Sequence, residues 1–206
     1  TFGGTLNDVV LAAVANGYRN LLLDRDEDPA AVTLRTLVPV SLRHEDGAGV
    51  LDNRVSAILY DLPVGEPDPV NRLALVQRQM PTLKQSHMAE AGDAVTTVAD
   101  LLPPMVVGAT SRVIMRVLQD RPQHILNTVT TNVPGPQFPL YCLGREMLEH
   151  RPFVPISHGL RVGTAILSYN GHLAFGVTGD FDTAPDVHIV ATGIAVGIAQ
   201  LVARAR

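Results

Sequence analysis

Four short segments pair chemically capable residues with a spacing that could use them. Asn7-Asp8 lies near the start of the apolar run Thr5-Leu6-Asn7-Asp8-Val9-Val10-Leu11-Ala12-Ala13-Val14. Helix capping explains Asp8 but leaves the Asn7 amide unused, and an amide can both donate to and accept from a bound hydroxyl or carbonyl. The stretch Val38-Pro39-Val40-Ser41-Leu42-Arg43 is a strand pattern that ends in an arginine. In Thr131-Asn132-Val133-Pro134-Gly135-Pro136 a second amide precedes a Pro-Gly-Pro run that stops a strand abruptly. Leu167-Ser168-Tyr169-Asn170-Gly171-His172-Leu173 sets two hydroxyls beside Asn-Gly, the strongest short hairpin signal in the chain. Each segment also has a plain structural use: cap, strand end, turn and hairpin.

Other chemistry is excluded. No Gly-x-Ser-x-Gly elbow occurs, and its nearest approach, Pro155-Ile156-Ser157-His158-Gly159, has proline where the first glycine must turn. There is no phosphate-binding loop and no dinucleotide fingerprint. The seven histidines are scattered singly, none four residues from another, so the spacing of a helical metal site is missing. The single cysteine, Cys142, excludes an internal disulfide framework and a cysteine-based zinc site, and it fits a reducing compartment. With 16 basic and 20 acidic residues the net charge is −4, the wrong sign for a phosphate-backbone binder.

The elements that must position these residues follow from periodicity. Residues 5–23 are predicted to be a helix, capped by Thr5 with Asp8 closing a capping box. Leu6, Val9, Val10, Ala13, Val14, Gly17 and Leu21 mark its buried face. The charged run from Asp24 to Pro29 ends it. Residues 32–42 and 54–62 are predicted strands joined by a loop at 43–53, and Pro39 places the first at a sheet edge or a bulge. From Asp68 to Arg121 the period is helical, with one helix through Val70, Leu73, Val76 and Met80. Gly92 and Pro103-Pro104 divide the rest into two more. Residues 124–133, 146–156, 160–169 and 172–180 are predicted strands. A last helix should open at Thr183-Ala184-Pro185-Asp186, with Thr183 as cap and Asp186 completing a capping box.

At 206 residues, 46% of them apolar, the chain can fill one core. The pattern predicts a single α/β domain, a mixed sheet with helices mainly on one face. No segment holds the ~18 uninterrupted apolar residues of a membrane span. The helix around Met105–Leu118 carries Arg112 and Arg116 one turn apart, which suits either a core helix with arginines at its rim or an interfacial helix. The chain opens Thr-Phe-Gly-Gly and its first methionine is Met80, so it reads as part of a longer polypeptide.

Taken together and in order, the four segments resemble the C-terminal half of the bacterial wax ester synthase/acyl-CoA:diacylglycerol acyltransferase family, within the CoA-dependent acyltransferase (condensation-domain) fold. The similarity runs over nearly the whole chain, and Asn132-Val133-Pro134-Gly135-Pro136 is its most specific match. Thr5 to Val9 resembles the family's Asn-Asp helix, Val38 to Arg43 its strand ending in arginine, and Ser168 to Gly171 its late hairpin. One departure is Asp52, where the family usually places glycine before the pair Asn53-Arg54.

The resemblance implies residues 1–206 as a single C-terminal subdomain of a chloramphenicol-acetyltransferase-like fold with two subdomains. It also implies acyl transfer from acyl-CoA to diacylglycerol or a long-chain alcohol, giving triacylglycerol or wax ester. The family's catalytic motif, His-His-x-x-x-Asp-Gly, lies in the N-terminal half and is absent from this chain. Hence no catalytic residue is assigned here. Arg43, Asn7, Asp8, Asn132, Pro134, Gly135 and Pro136 become candidates for supporting the site or the interface between halves. Ser168 and Tyr169 become candidates for a substrate channel. No metal and no cofactor beyond acyl-CoA as substrate is implied. The implied partners are the chain's own N-terminal half, acyl-CoA, a lipid acceptor and a membrane or lipid-droplet surface. The implied location is the cytoplasm, with peripheral contact at the inner face of the plasma membrane. The alternatives are a non-catalytic lipid- or acyl-carrier-binding module and a scaffolding half of the same fold.

Overall fold

The structure is a computed structural model that describes residues 1–41, 55–91, 126–156 and 159–206. Arg43, the Asp52-Asn53-Arg54 loop and the helices expected after Gly92, with Arg112 and Arg116, lie outside the described residues.

Helix α1 spans Leu6–Asp24 and begins as its sequence dictates. The Thr5 hydroxyl accepts from Asp8 N at 3.3 Å, and the Asp8 carboxylate accepts from Thr5 N at 2.7 Å. Two of the backbone donors that a helix start leaves open are thereby satisfied. Burial extends beyond the predicted stripe: Leu11, Ala12, Ala15, Asn16 and Tyr18 are buried with Val10, Ala13 and Val14, while Leu6 is exposed. The cause is position. Helix α1 is covered by a sheet on one side and by another helix on the other.

Among the described residues the main sheet has five strands: β1 (Leu34–Ser41), β2 (Val55–Leu62), β3 (Thr128–Pro134), β6 (Val162–Tyr169) and β7 (His172–Gly179). The spatial order is β2-β1-β3-β6-β7. Strands β1, β3 and β6 run parallel, and β2 and β7 flank them antiparallel. Two-residue strands β4 (Tyr141–Cys142) and β5 (Arg145–Glu146) form a separate small hairpin. Helix α2 spans Pro69–Ala91 and helix α3 Val187–Ala205. One core joins Val38, Tyr60, Val162 and Ile166 of the sheet to Val14 of α1, Val76 of α2 and Ile194 of α3. By strand alternation these sheet residues share a face, so the three described helices lie on one side, as predicted.

Helices α1 and α3 meet backbone to backbone. A Cβ at Gly193 would stand 2.8 Å from Gly17 Cα, so only glycine permits this approach. Asn16 Nδ2 donates to Gly193 O at 2.7 Å, and the buried Arg72 of α2 donates from Nη1 to Asn16 Oδ1 at 2.9 Å. Arg72 also donates to the Glu66 and Pro67 carbonyls. One guanidinium thus ties the three helices together, and burial lowers its pKa.

Three expectations are corrected. Residues 146–156 do not form a strand: only Arg145–Glu146 pairs, and the rest runs irregularly over the open face of the sheet. Pro152 and Pro155 lack the N–H groups that a ladder needs. The Pro152 carbonyl instead lies against Gly176, and Val154 and Ile156 lie against Gly163. The start of α3 also differs. Asp186 occupies the N-cap position but makes no side-chain cap bond, because Arg25 Nε and Nη2 donate to its carboxylate at 2.7 Å each. Thr183 donates to Asp180 from N and Oγ1 and caps nothing. Finally, β1 is an interior strand. Pro39 is tolerated because the register with β3 covers only Thr36 and Leu37, while the register with β2 runs unbroken through Pro39 opposite Ala57.

Candidate functional site

In open sheets of parallel strands, ligands bind outside the carboxyl ends of the strands, where loops diverge and helix N-termini point. Here those ends are Ser41 of β1, Pro134 of β3 and Tyr169 of β6. Three of the four segments singled out by sequence place described residues there, and the fourth supplies the N-terminus of α1. Asn132 Nδ2 donates to Asn7 Oδ1 at 3.2 Å. The two amides are 125 residues apart in sequence and both are half-buried. Each keeps further hydrogen-bonding capacity beyond this bond, since an amide offers two donors and two acceptor lone pairs.

Asp8 serves the same corner from behind. Its carboxylate also accepts from the Thr5 hydroxyl at 2.9 Å, so it fixes the first turn of α1 and with it the position of Asn7. The hydroxyl of Tyr60 on β2 is buried and has no hydrogen-bond partner among the described residues. Burial first, and then the nearby Asp8 charge, hold the Tyr60 pKa well above the ordinary phenol range.

The Pro134-Gly135-Pro136 turn is built against the β6–β7 hairpin. A Cβ on Gly135 would collide with the Ser168 carbonyl, so glycine is required by close backbone approach. Gly135 N donates to Ser168 Oγ at 3.2 Å, and Asn170 N donates to Pro136 O at 3.0 Å. Asn170 and Gly171 have φ of 44° and 78°, the left-handed pair that a two-residue hairpin needs. Gln137 closes the arrangement. Its Nε2 donates to Ser168 Oγ at 3.0 Å and Gly135 O at 2.9 Å, and its Oε1 accepts from Gly171 N at 3.1 Å. Sequence reasoning missed Gln137, because a lone polar residue after a turn carries no periodicity or motif.

Tyr169 is buried, and its hydroxyl accepts from Leu140 N and donates to Met147 O, both at 2.8 Å. These two residues flank the β4–β5 hairpin, so one phenol pins both of its legs. The ring meets His150 edge-on at 6.4 Å and borders a cleft of about 550 Å³ shared with Leu148, His172 and Phe175. Ser168 and Tyr169 therefore both stand at this end of the sheet, each with its hydroxyl committed to a loop. Among the described residues no cluster of three His, Cys, Asp or Glu side chains could hold a metal ion.

The arrangement offers amides, Asn7 from α1 and Asn132 from β3, to position a hydroxyl or carbonyl group. Among the described residues it contains no nucleophile–base pair.

The chain is similar over nearly its whole length to known proteins. A probable diacylglycerol O-acyltransferase of Mycobacterium tuberculosis (strain H37Rv) is 41% identical over 203 residues, covering 98% of this chain and 43% of that protein. The wax ester synthase/diacylglycerol acyltransferase of Marinobacter aquaeolei VT8 superposes with a TM-score of 0.69 at 25% identity, covering 97% of this chain and 43% of that one. The chain thus spans less than half the length of these relatives. The WS/DGAT C-terminal domain matches residues 51–201, a stretch that takes in the Asn132–Pro136 turn and the Ser168–Gly171 hairpin, and the chain belongs to that family.

Proposed function

We propose that the whole protein transfers a long-chain acyl group from acyl-CoA to diacylglycerol or a long-chain alcohol, and that residues 1–206 are the half of it that lacks the catalytic histidine. The acceptor hydroxyl attacks the thioester carbonyl, the new ester C–O bond forms and the C–S bond breaks. The hydroxyl proton passes to a histidine of the N-terminal half, which returns it to the departing thiolate, so that CoA leaves as the thiol. Acyl-CoA enters as a substrate, and no further cofactor takes part. The names of the relatives support the reaction class. The observation that carries this reading is the Asn7–Asn132 bond, which unites two separate motifs at the end of the sheet where ligands bind. The amides hold the acceptor or the facing half in register, and the Pro-Gly-Pro turn keeps them there with little ordering cost. Ser168 and Tyr169 act as positioning residues at the rim of the substrate channel. Lipid acceptors of this class favour a cytoplasmic enzyme in peripheral contact with the inner face of the plasma membrane or with lipid droplets.

The test is thiol release from palmitoyl-CoA with diacylglycerol or hexadecanol as acceptor. The full-length protein should turn over and the 206-residue chain alone should not. In the full-length protein, Asn132→Ala should lower kcat/KM by about tenfold to a hundredfold, the worth of one or two positioning hydrogen bonds to a reacting group. Turnover by the isolated chain would end the assignment of the base to the other half. A full-length protein that binds acyl-CoA without turnover would be a lipid- or carrier-binding module instead.

A further inference from the structure

Helix α3 is apolar on two sides, and the core accounts for only one of them. Its inner side packs on α1 through Gly193 and Gly197. On the opposite side Ala191, Ala195, Val196, Ala199 and Val202 are exposed. From Val187 to Ala203 the helix holds no Asp, Glu, Lys or Arg, whereas a surface helix normally sets charged residues toward solvent. Thr192, exposed on the same side, donates from Oγ1 back to His188 O at 3.0 Å. Its one donor is therefore spent within the helix, as hydroxyls in apolar surroundings commonly are.

The charges gather at the two ends, with opposite signs. Arg25 is held on Asp186 at the start of α3, which brings Asp24, Asp26, Glu27 and Asp28 to that end. Asp180 and Asp182 precede the same helix start. At the far end stand Arg204 and Arg206, and Arg204 lies 3.6 Å from Asp68. The face is thus acidic at one end, basic at the other and uncharged between.

We infer that this face of α3 is a contact between two copies of the protein, with the two α3 helices antiparallel about a two-fold axis near Ala195. A two-fold contact uses the same patch on both partners and must therefore be self-complementary. This one is: turning the helix end for end lays the acidic start of one copy over the basic end of the other. Asp182 and Arg206 lie almost equally far along the chain from Ala195, so an axis there brings them together. A lipid surface matches less well. Interfacial helices carry large apolar side chains and a basic border, whereas this face is alanine and valine, and an anionic bilayer repels its acidic end. The 19-residue helix is about 28 Å long and roughly 10–12 Å wide. That footprint is well below the ~800 Å² per partner of a standard interface. The pairing is therefore weak, with a dissociation constant on the order of 10 µM. None of this depends on the acyl-transfer reading.

Sedimentation velocity of the full-length protein between about 1 and 100 µM reads the association directly. Wild type should pass from monomer to dimer over that range. Ala195→Arg sets two like charges face to face at the axis and should weaken the dimer by about tenfold or more. Its melting temperature, taken at a concentration where wild type is monomeric, should be unchanged, because the position is exposed and arginine is a good helix former. Asp182→Arg and Arg206→Asp should each weaken the dimer severalfold, and the two together should restore it. A protein that stays monomeric throughout, an Ala195→Arg dimer as tight as wild type, or a double exchange without rescue would each overturn the inference. A lowered melting temperature in monomeric Ala195→Arg would do so too, since the face would then be covered within its own chain. Monomers that float with phosphatidylglycerol vesicles, and lose that binding in Ala195→Arg, would make lipid the occupant instead.

Discussion

Tyr60 is the clearest case of a side chain whose polarity costs the domain something. Its ring fills core beside Ile58 and Leu62, but its hydroxyl is buried without a partner among the described residues, and an unmet buried hydroxyl forfeits its hydration. Tyr60→Phe should therefore raise stability by about 1 kcal/mol. Tyr18 is the control. Its hydroxyl lies 2.6 Å from Thr128 Oγ1, which in turn donates to Val162 O, so Tyr18→Phe should lower stability by about 1 kcal/mol. Thermal unfolding of the two variants decides, and a loss in Tyr60→Phe would mean that the hydroxyl has a partner after all. The difference between these tyrosines could not be read from the sequence, since each sits at an apolar-patterned position. Asn7 and Asn132 were legible because nothing local needed their amides. Gln137 was not, because its three partners come from a turn and a hairpin that only the fold brings together.

Elements were legible where their determinants are local. The α1 cap closes within four residues, and Asn170-Gly171 makes its hairpin from its own backbone preferences. The start of α3 failed as a prediction because Asp186 is captured by Arg25, 161 residues away in sequence. Residues 146–156 failed because alternation of apolar and polar residues does not tell a paired strand from a strap lying on a sheet. The α1–α3 contact shows the same limit from the opposite side. Gly17, Gly193 and Gly197 look like weak points in two apolar helices, and alanine in place of a mid-helix glycine ordinarily gains about 1 kcal/mol. Helix α3 is also long and apolar enough by composition to cross a membrane. Yet Val190, Gly193, Ile194, Gly197 and Leu201 are buried, the first four against α1. Gly193→Ala should cost about 1–3 kcal/mol despite its better helix propensity, because the new Cβ meets the Gly17 backbone, which cannot rotate away. A variant as stable as wild type in denaturant unfolding would show that the helices can slide apart at no cost.

At the scale of the whole molecule, the proposed function has the described residues supply position and shape and leaves the reacting groups to the other half. Arg43, two residues beyond the end of β1 in sequence, is where the two halves should be coupled most tightly. The resemblance gives the catalytic motif of the other half an inward-facing aspartate, and a buried carboxylate needs a cationic partner. On the proposed function, Arg43 is the expected partner. A merely solvated arginine could be removed for less than about 0.5 kcal/mol. If Arg43 neutralises the buried aspartate, Arg43→Ala strands that charge and should cost about 3–5 kcal/mol. Arg43→Lys should rescue only part of the loss, because a point charge does not reproduce a two-pronged guanidinium contact. The measurement is a double-mutant cycle in the full-length protein, following melting temperature and palmitoyl-CoA turnover for Arg43→Ala, for the motif Asp→Asn, and for both. Paired residues give a double variant little worse than either single one, since the second substitution removes a charge that the first has already orphaned. Strictly additive losses would place the two side chains apart and return Arg43 to the solvated surface.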